Sequence, residues 1–241
     1  MAGCKVNKIK QSFREENIAF FDEFAKNYNS ILEQNNSNKV IRQRVAEKFC
    51  NSVKPGLVLD FGGGTGLDLS WLTENEFKIF FCEPSPGMRQ HAINYNNNIL
   101  HSNDIVFLDN AKTDFSLWDK ELPFSQKVDA ILSNFVVINN IQNIELLFKN
   151  LALISKPHAH LIALILDGRF RKTIQHHPLS TISSFIFQKP VAFQDKNRGQ
   201  RRTVYIHSTR QIKRASRDYF NFYNQEFFPE SGFVLIHLIR K

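Results

Sequence analysis

The 241-residue sequence predicts one α/β domain with a mainly parallel sheet and helices on both of its faces. Strand-length apolar runs alternate with segments of helical periodicity, and the runs are apolar almost throughout, as expected of strands buried on both faces. Parallel sheets of this kind bind ligands beyond the carboxyl ends of their strands. We therefore expect functional residues directly after the predicted strands.

Two helices precede the first strand. Over residues 11–28, Phe13, Ile18, Phe21 and Phe24 recur at spacings of three to five residues, which predicts an amphipathic helix. A second helix is predicted over residues 38–52, and Lys54-Pro55-Gly56 ends it.

Strands and helices then alternate along the chain. The predicted strands and the helices between them cover residues 57–61, 67–75, 78–82, 86–95, 105–108, 128–132, 141–154 and 160–166. Segment 168–208 interrupts this order because it is basic and rich in Pro and Gly, and it is predicted to be irregular. A helix over 209–220 and strands over 222–228 and 233–239, joined by a turn at Ser231-Gly232, are expected to complete the sheet.

Composition indicates an ordinary globular protein, with 42% hydrophobic and 22% charged residues. We expect a cytoplasmic protein without a membrane segment, because no apolar run approaches the ~18 residues that a span requires. The first five residues lack the apolar region of a signal peptide. No metal site is predicted, because the cysteines lack the spacing of metal ligands: Cys4, Cys50 and Cys82.

The net charge of +8 is concentrated late in the chain. Residues 1–168 contain 17 basic and 19 acidic side chains, whereas residues 169–241 contain 14 basic and 4 acidic ones. We call residues 169–217 the basic segment, because its 12 basic side chains accompany a single acid, Asp195. Such a field attracts anionic partners.

A run of glycines follows the first predicted strand and precedes a helix, which is the position of ligand-binding glycine loops. We call residues 62–66, Gly-Gly-Gly-Thr-Gly, the glycine loop. A dinucleotide fingerprint requires glycines at its first, third and sixth positions, but the sixth position is Leu67 when counted from Gly62 and Leu69 when counted from Gly64. The Gly-Lys-Ser/Thr of a P-loop is also absent, so neither a dinucleotide nor a nucleoside triphosphate is favoured.

Residues 58–66, Val-Leu-Asp-Phe-Gly-Gly-Gly-Thr-Gly, resemble the first motif of the class I S-adenosylmethionine-dependent methyltransferases. In that family the acid at the strand end and the glycines surround the methionine part of the cofactor. The resemblance assigns these roles to Asp60, Gly62, Gly64 and Gly66. A carboxylate suits a cofactor that carries an ammonium and a sulfonium group.

Two further motifs follow in the family's order. Residues 81–88, Phe-Cys-Glu-Pro-Ser-Pro-Gly-Met, are similar to the second motif, in which Glu83 would accept hydrogen bonds from both ribose hydroxyls and Met88 would contact the adenine. The third motif is similar to residues 108–111, with Asn110-Ala111 where the family usually has Asp-Ala. An alternative register places Asp109 beside the adenine amino group instead.

Residues 128–135 resemble the fourth motif, whose end, at Ser133, lies beside the transferred methyl group in the family. Residues 21–28 resemble the N-terminal helix that covers the cofactor in small-molecule members, so Tyr28 would close over the site; an ordinary packed amphipathic helix is the alternative. His207 is a candidate general base, although a single His is more often structural.

The resemblance covers residues 13–166 and implies a Rossmann-like, mainly parallel seven-stranded sheet. We divide the single domain into N-terminal lid helices, a cofactor-binding core, a basic insertion or cap, and a C-terminal helix with closing strands. These parts cover residues 1–53, 54–167, 168–208 and 209–241.

We expect S-adenosylmethionine-dependent methyl transfer to an oxygen or carbon of a small, acidic or carrier-bound acceptor. The sequence Ser133-Asn134-Phe135-Val136 departs from the Asn/Asp-Pro-Pro-Tyr/Phe type that methylates amino groups of bases and glutamine. RNA is an alternative partner, because Arg198, Arg201 and Arg202 flank Tyr205 in the basic segment, and a solvated loop is another. A regulatory subunit that binds an adenosine ligand without catalysis is the alternative of a different class.

Overall fold

The computed structural model describes residues 15–30, 36–98, 104–169, 189–197, 199–229 and 231–241. Its centre is a seven-stranded sheet with the strand order β3-β2-β1-β4-β5-β9-β8. Strands β1 to β5 are parallel, and β9 and β8 are antiparallel additions at one edge. The strands are β1 Leu57–Phe61, β2 Lys78–Cys82, β3 Ile105–Phe107, β4 Val128–Ser133, β5 Ser155–Leu166, β8 Phe220–Phe228 and β9 Phe233–Arg240.

The predicted Rossmann-like α/β fold is confirmed, and its strand order explains where a ligand site forms. From β1 the chain builds β2 and β3 on one side, then crosses back to build β4 and β5 on the other. The connections that follow β1 and β4 therefore diverge, which leaves a crevice at the carboxyl ends of these strands. We call this edge of the sheet the carboxyl edge.

Helices cover both faces of the sheet. On one face, α2 (Asn36–Ser52) buries Val45 and Phe49 against a cluster that includes Leu72 of α3 (Leu69–Glu74) and Ile162 of β5. The opposite face is covered by α5 (Ile144–Ile154) and α6 (Thr209–Ser216), whose apolar residues join a second buried cluster. Helix α4 (Pro86–Tyr95) follows β2, and the helix over residues 15–30, α1, lies across the carboxyl edge. We call α1 the lid helix.

Capping residues correct two predicted helix boundaries. Helix α5 begins at Ile144 rather than Ile141, because the Asn143 side chain accepts a hydrogen bond from the Leu146 amide and a 3₁₀ turn, Ile138–Asn140, precedes it. Helix α6 begins in a capping box formed by Ser208 and Gln211, and it ends at Ser216 rather than at residue 220.

The segment that was predicted to be irregular contains a hairpin, so that prediction was wrong. Strands β6 (Val191–Asn197) and β7 (Gln200–Ile206) pair antiparallel as a separate two-stranded sheet. Gly199 supplies the positive φ of +83° that the tight connection requires. We call this hairpin the arm. Residues 170–188 of the predicted cap lie outside the described part of the chain.

Within the described ranges, no helix combines the length and apolarity needed to cross a lipid bilayer. The same ranges contain no cluster of three or more His, Cys, Asp and Glu side chains able to hold a metal ion.

Candidate cofactor and acceptor site

The first half of the glycine loop is packed so tightly that side chains cannot fit. The amides of Gly62 and Gly63 both donate to the Cys82 carbonyl at the end of β2, at 2.8 and 3.3 Å. A Cβ on Gly62 would lie 2.4 Å from Val137, and one on Gly63 would lie 2.2 Å from Phe81. Gly62 also has a φ of +76°, a conformation that glycine adopts without strain. The loop is thereby fixed against the ends of β1 and β2.

The second half of the loop presents its backbone toward the lid helix. Gly64 has a φ of +58°, and the only described atom within 4 Å of an added Cβ would be Tyr28 Cε1, at 3.9 Å. Gly66 is packed more closely, because Asn96 of the α4 C-cap donates to its carbonyl at 3.1 Å. The face of Gly64 is therefore where a ligand can approach the loop backbone.

Two buried polar atoms at the carboxyl edge have no hydrogen-bond partner in the described part of the chain. They are Asp60 Oδ2 on β1 and Ser133 Oγ on the neighbouring β4. Burying such atoms unpaired is costly, so they indicate a ligand-facing surface. Burial raises the pKa of Asp60, and the nearby Asp68 raises it further while Arg42 opposes the rise. A carboxylate with one unpartnered oxygen, beside an unpartnered hydroxyl, fits the cationic methionine end of S-adenosylmethionine.

Glu83 follows β2 and is held by the backbone. Its Oε2 accepts from the Gly64 amide at 2.9 Å, and its Oε1 accepts from the Ser85 amide at 2.8 Å. Burial raises the pKa of Glu83 to about 7, against the lowering effect of these two hydrogen bonds. Each carboxylate oxygen retains a second lone pair, so the ionised Glu83 can also accept hydrogen bonds that ribose hydroxyls donate.

An ion pair between a partly buried arginine and a buried aspartate stands beside the loop. Arg42 of α2 contacts Asp68 at 2.6 Å, and the Asn134 amide donates to the same carboxylate at 3.0 Å. The Arg42 guanidinium also lies over the Phe135 ring, 4.5 Å from its centroid. Phe135 has a φ of +50°, and such strained backbone in a non-glycine residue is concentrated at functional sites.

The lid helix crosses the carboxyl edge and contacts both the glycine loop and the arm. At one end, Tyr28 lies over Gly64 and the Asn29 side chain hydrogen-bonds to Thr65. At the other end, Asn17 accepts from the Thr203 amide at 3.3 Å. Burial raises the pKa of Tyr28, and Arg42 opposes the rise.

The remaining predicted cofactor contacts differ in exposure. Met88 is buried in the first turn of α4. Asn110 and Ala111 are exposed at the start of a 3₁₀ turn after β3, with Asp109 exposed at its N-cap. Both registers of the third motif therefore remain predictions at the same edge of the sheet.

His207 lies where it serves the fold. It is buried, and its Nε2 donates to the Ile141 carbonyl at 2.9 Å, which makes Nε2 the protonated nitrogen if the ring is neutral. Burial lowers the pKa of His207 to about 4. Only Nδ1 then remains to accept a proton, and it is a weak base.

The predicted substrate arginines differ in their contacts. Arg198 lies outside the described residues. Arg201 is exposed near the tip of the arm, opposite Lys196. Arg202 points the other way: it pairs with Asp195 at 2.9 Å and lies over the rings of the lid helix at 4.8 and 5.2 Å, those of Phe20 and Phe21. Arg202 therefore links the arm to the lid helix.

Sequence reasoning missed three charged residues at this edge: Arg42, Asp68 and Asp22, whose Oδ1 accepts from the Gly87 amide of α4 at 2.8 Å. Arg42 and Asp22 sit in amphipathic helices, where a charged residue normally indicates a solvated face. Asp68 lies just after the glycine loop, and the loop context is the one signal that could have identified it.

Comparison with known proteins agrees with this geometry. A family model described as a methyltransferase domain matches residues 21–224, which is most of the chain. No curated protein matches the chain.

Several solved structures share the fold. The structure of DhpI with S-adenosylhomocysteine superposes with a TM-score of 0.70 at 13% identity, covering 95% of this chain and 97% of that one. The N-methyltransferase NodS from Bradyrhizobium japonicum WM9, also with S-adenosylhomocysteine, gives 0.60 at 9% identity, covering 87% and 90%. A methyltransferase in complex with the Trm112 activator of Haloferax volcanii gives 0.61 at 17% identity, covering 95% and 97%.

The glycine loop, the acids that end β1 and follow β2, the strand order and the family match all agree. The chain belongs to the class I S-adenosylmethionine-dependent methyltransferases, and S-adenosylmethionine is its cofactor.

Proposed function

We propose that the protein transfers a methyl group from S-adenosylmethionine to an oxygen of a small acidic acceptor, free or carried on a flexible arm of a carrier protein. The observation that carries this proposal is the lid helix, which lies over the carboxyl edge and is attached at both ends. Carbon remains the second acceptor atom that the sequence favours.

The attachment of the lid helix limits the size of the acceptor. Between Asn17 and Asn29 the helix spans about 18 Å, at ~1.5 Å per residue. Over this length it contacts the arm through Phe20, over which Arg202 lies, and the glycine loop through Asn29. A small molecule or a thin carrier arm can enter beneath such a cover, whereas a folded RNA or a protein surface would have to displace it.

The two candidate catalytic side chains favour an acceptor that needs no base. His207 has its Nε2 bonded to a backbone carbonyl, and its lowered pKa of about 4 makes it a poor proton acceptor. Tyr28 has a raised pKa, so its phenol stays protonated and can donate a hydrogen bond. A carboxylate acceptor is ionised at neutral pH and needs no proton removed. We therefore assign Tyr28 to positioning the acceptor rather than to proton transfer.

Asn134 supports the prediction against methylation of base amino groups. Its Nδ2 donates to Asp68 at 3.0 Å, and its Oδ1 accepts from the Phe135 amide at 3.0 Å. Both ends of the amide are thus engaged within the protein. An acceptor amino group would have to compete with these hydrogen bonds.

The chain's own residues bind and orient the reactants. S-adenosylmethionine supplies a methyl group on a positively charged sulfur, which becomes neutral once a nucleophile takes the methyl group. Asp60 and Ser133 would hold the methionine end, and Glu83 would hold the ribose. The lid helix and Phe135 would exclude water and align the acceptor, and alignment of this kind can remove several kcal/mol from a barrier.

The test measures conversion of S-adenosylmethionine to S-adenosylhomocysteine with three acceptor panels: small carboxylic acids, carrier-bound acids and RNA. We expect turnover with members of the first two panels and methyl ester products by mass spectrometry. Tyr28→Phe should raise the acceptor KM more than it lowers kcat, and His207→Asn should leave the pH profile of kcat unchanged. Turnover with RNA alone, or methylation at nitrogen, would contradict the proposal.

A further inference from the structure

The turn that carries Glu83 is organised around a single hydroxyl group. The Ser85 amide donates to Glu83 Oε1 at 2.8 Å, and the Ser85 Oγ accepts from the Met88 amide at 3.1 Å as the N-cap of α4. The position of the Glu83 carboxylate therefore depends on the position of Ser85.

The lid helix supplies the remaining partner of this turn. Asp22 Oδ1 accepts from the Ser85 hydroxyl and, at 2.8 Å, from the Gly87 amide. Because the Ser85 proton is given to Asp22, a lone pair of the same oxygen is oriented toward the Met88 amide. Asp22 thus fixes the capping geometry from outside α4.

Gly87 allows the lid helix to come this close. A Cβ on Gly87 would lie 3.1 Å from Asp22 Oδ1 and 3.2 Å from the Asp22 carbonyl oxygen. Such distances are too short for most side chains to be accommodated without a shift. Helix backbone and turn backbone are therefore in direct contact at this point.

The same face of the lid helix reaches the glycine loop. Asn29, which is seven residues and about two helical turns beyond Asp22, contacts Thr65. Glu83 Oε2 in turn accepts from Gly64 at 2.9 Å. The lid helix, the turn and the glycine loop are thereby each hydrogen-bonded to the other two.

We propose that Asp22 is a positioning residue that couples closure of the lid helix to the orientation of Glu83, so that the lid and the ribose-binding carboxylate act as one unit. The inference rests on the proposed function in one respect, namely that Glu83 binds the ribose of the cofactor. Its structural half, the attachment of the lid, holds without any ligand.

The experiment compares Asp22→Ala, Asp22→Asn and, as a matched control on the same helix, Glu15→Ala. Glu15 is exposed, and its replacement removes a carboxylate from the same helix without touching the turn. Asn keeps one oxygen that can accept from both donors, so it should rescue the loss caused by Ala. The readouts are the Kd for S-adenosylmethionine by calorimetric titration, the Tm, and hydrogen exchange of residues 15–30 without cofactor.

We expect Asp22→Ala to weaken cofactor binding about tenfold, the effect of losing hydrogen bonds to a charged group. The Kd of Asp22→Asn should stay within about threefold of the wild-type value, and so should the Kd of Glu15→Ala. Exchange of the lid helix should accelerate in Asp22→Ala, whereas the Tm of the protein should change little because the lid is peripheral to both buried clusters.

Unchanged Kd or unchanged lid exchange in Asp22→Ala would overturn the inference, as would an equal loss of affinity in Asp22→Asn. A wild-type protein that binds no S-adenosylmethionine would instead contradict the cofactor assignment and the proposed function. In that case the hydrogen exchange of the lid helix tests the inference by itself. Faster exchange in Asp22→Ala would support the coupling, and unchanged exchange would overturn it.

Discussion

The carboxyl edge and the basic segment both carry many charged side chains, but those at the carboxyl edge are largely buried and those in the basic segment are largely exposed. At the carboxyl edge the side chains of Asp60, Asp68 and Glu83 are buried, and Arg42 pairs with Asp68. In the basic segment most described cations are exposed, including Arg210, Lys213 and Arg214 on α6 and Arg217 at its C-cap. Buried charge costs desolvation and is kept where chemistry requires it, whereas exposed charge costs little.

This contrast separates residues that define the reaction from residues that influence encounter. A buried charge beside a ligand acts at short range in a medium of low dielectric constant. Exposed cations act through a field that salt screens, and they affect association more than the bound state. Substitutions matched in chemistry should therefore have unequal effects in the two regions.

Removing the cation that pairs with the buried Asp68 should have the largest effect. Arg42→Gln leaves Asp68 without its ion pair and increases the excess of negative charge around Asp60, so we expect a loss of about 4 kcal/mol in the free energy of unfolding. The matched change in the arm, Arg201→Gln, should cost less than about 0.5 kcal/mol. Urea unfolding followed by circular dichroism measures both. Equal losses of unfolding free energy in the two variants would show that the ion pair of Arg42 does not stabilise the fold.

Two glycines with positive φ provide the second comparison. A Cβ added to Gly62 (φ +76°) would lie 2.4 Å from Val137, whereas one added to Gly199 (φ +83°) would have no described atom within 4 Å. Gly62→Ala combines backbone strain with overpacking, and we expect a loss of about 3 kcal/mol. Gly199→Ala incurs the strain alone, about 1 kcal/mol. Thermal unfolding of the two variants should differ accordingly; a larger loss for Gly199→Ala would be inconsistent with this account.

The same contrast explains which parts of the molecule could be predicted from sequence. The strand ends and the glycine loop were predictable because hydrophobic runs and glycines are local signals, and Asp60, Glu83 and Ser133 lie at the predicted edge. The sheet order followed from resemblance to the family rather than from periodicity.

Other features depend on contacts between segments distant in sequence. The ion pair of Arg42 with Asp68 and the attachment of Asp22 to Ser85 join residues from different elements, and a single sequence does not display such pairs. The arm had a local signal, the Thr203-Val204-Tyr205-Ile206 run after Gly199, but the surrounding basic residues favoured an irregular interpretation. The burial of His207 likewise depends on its contact with Ile141.

Cofactor affinity should depend on pH through Glu83. Its pKa of about 7 in the folded protein lies above the ordinary 4.5, so in the unliganded protein its contribution to stability is present below the ordinary value and lost as pH rises through 7. Ribose hydroxyls donate to the carboxylate form, so affinity should rise between about pH 6 and about pH 8. Glu83→Gln should weaken binding by about 2 kcal/mol and remove this dependence, as measured by calorimetric titration. A slope that persists in Glu83→Gln would assign the titration to another group.

The smallest effect is expected in the arm. Arg201 is exposed and lies opposite Lys196, so the two cations should attract the acidic acceptor that we propose. Arg201→Gln should raise the acceptor KM about two- to threefold at low ionic strength and leave the Kd for S-adenosylmethionine unchanged. The difference should disappear at about 0.5 M salt, where the Debye length is only a few ångströms. The variant Arg202→Gln provides the contrast, because Arg202 pairs with Asp195 and contacts the lid helix. The increase in acceptor KM that Arg202→Gln causes should therefore persist in high salt. A salt-independent effect of Arg201→Gln would mean that this side chain touches the acceptor, which would place the arm in the acceptor site rather than beside it.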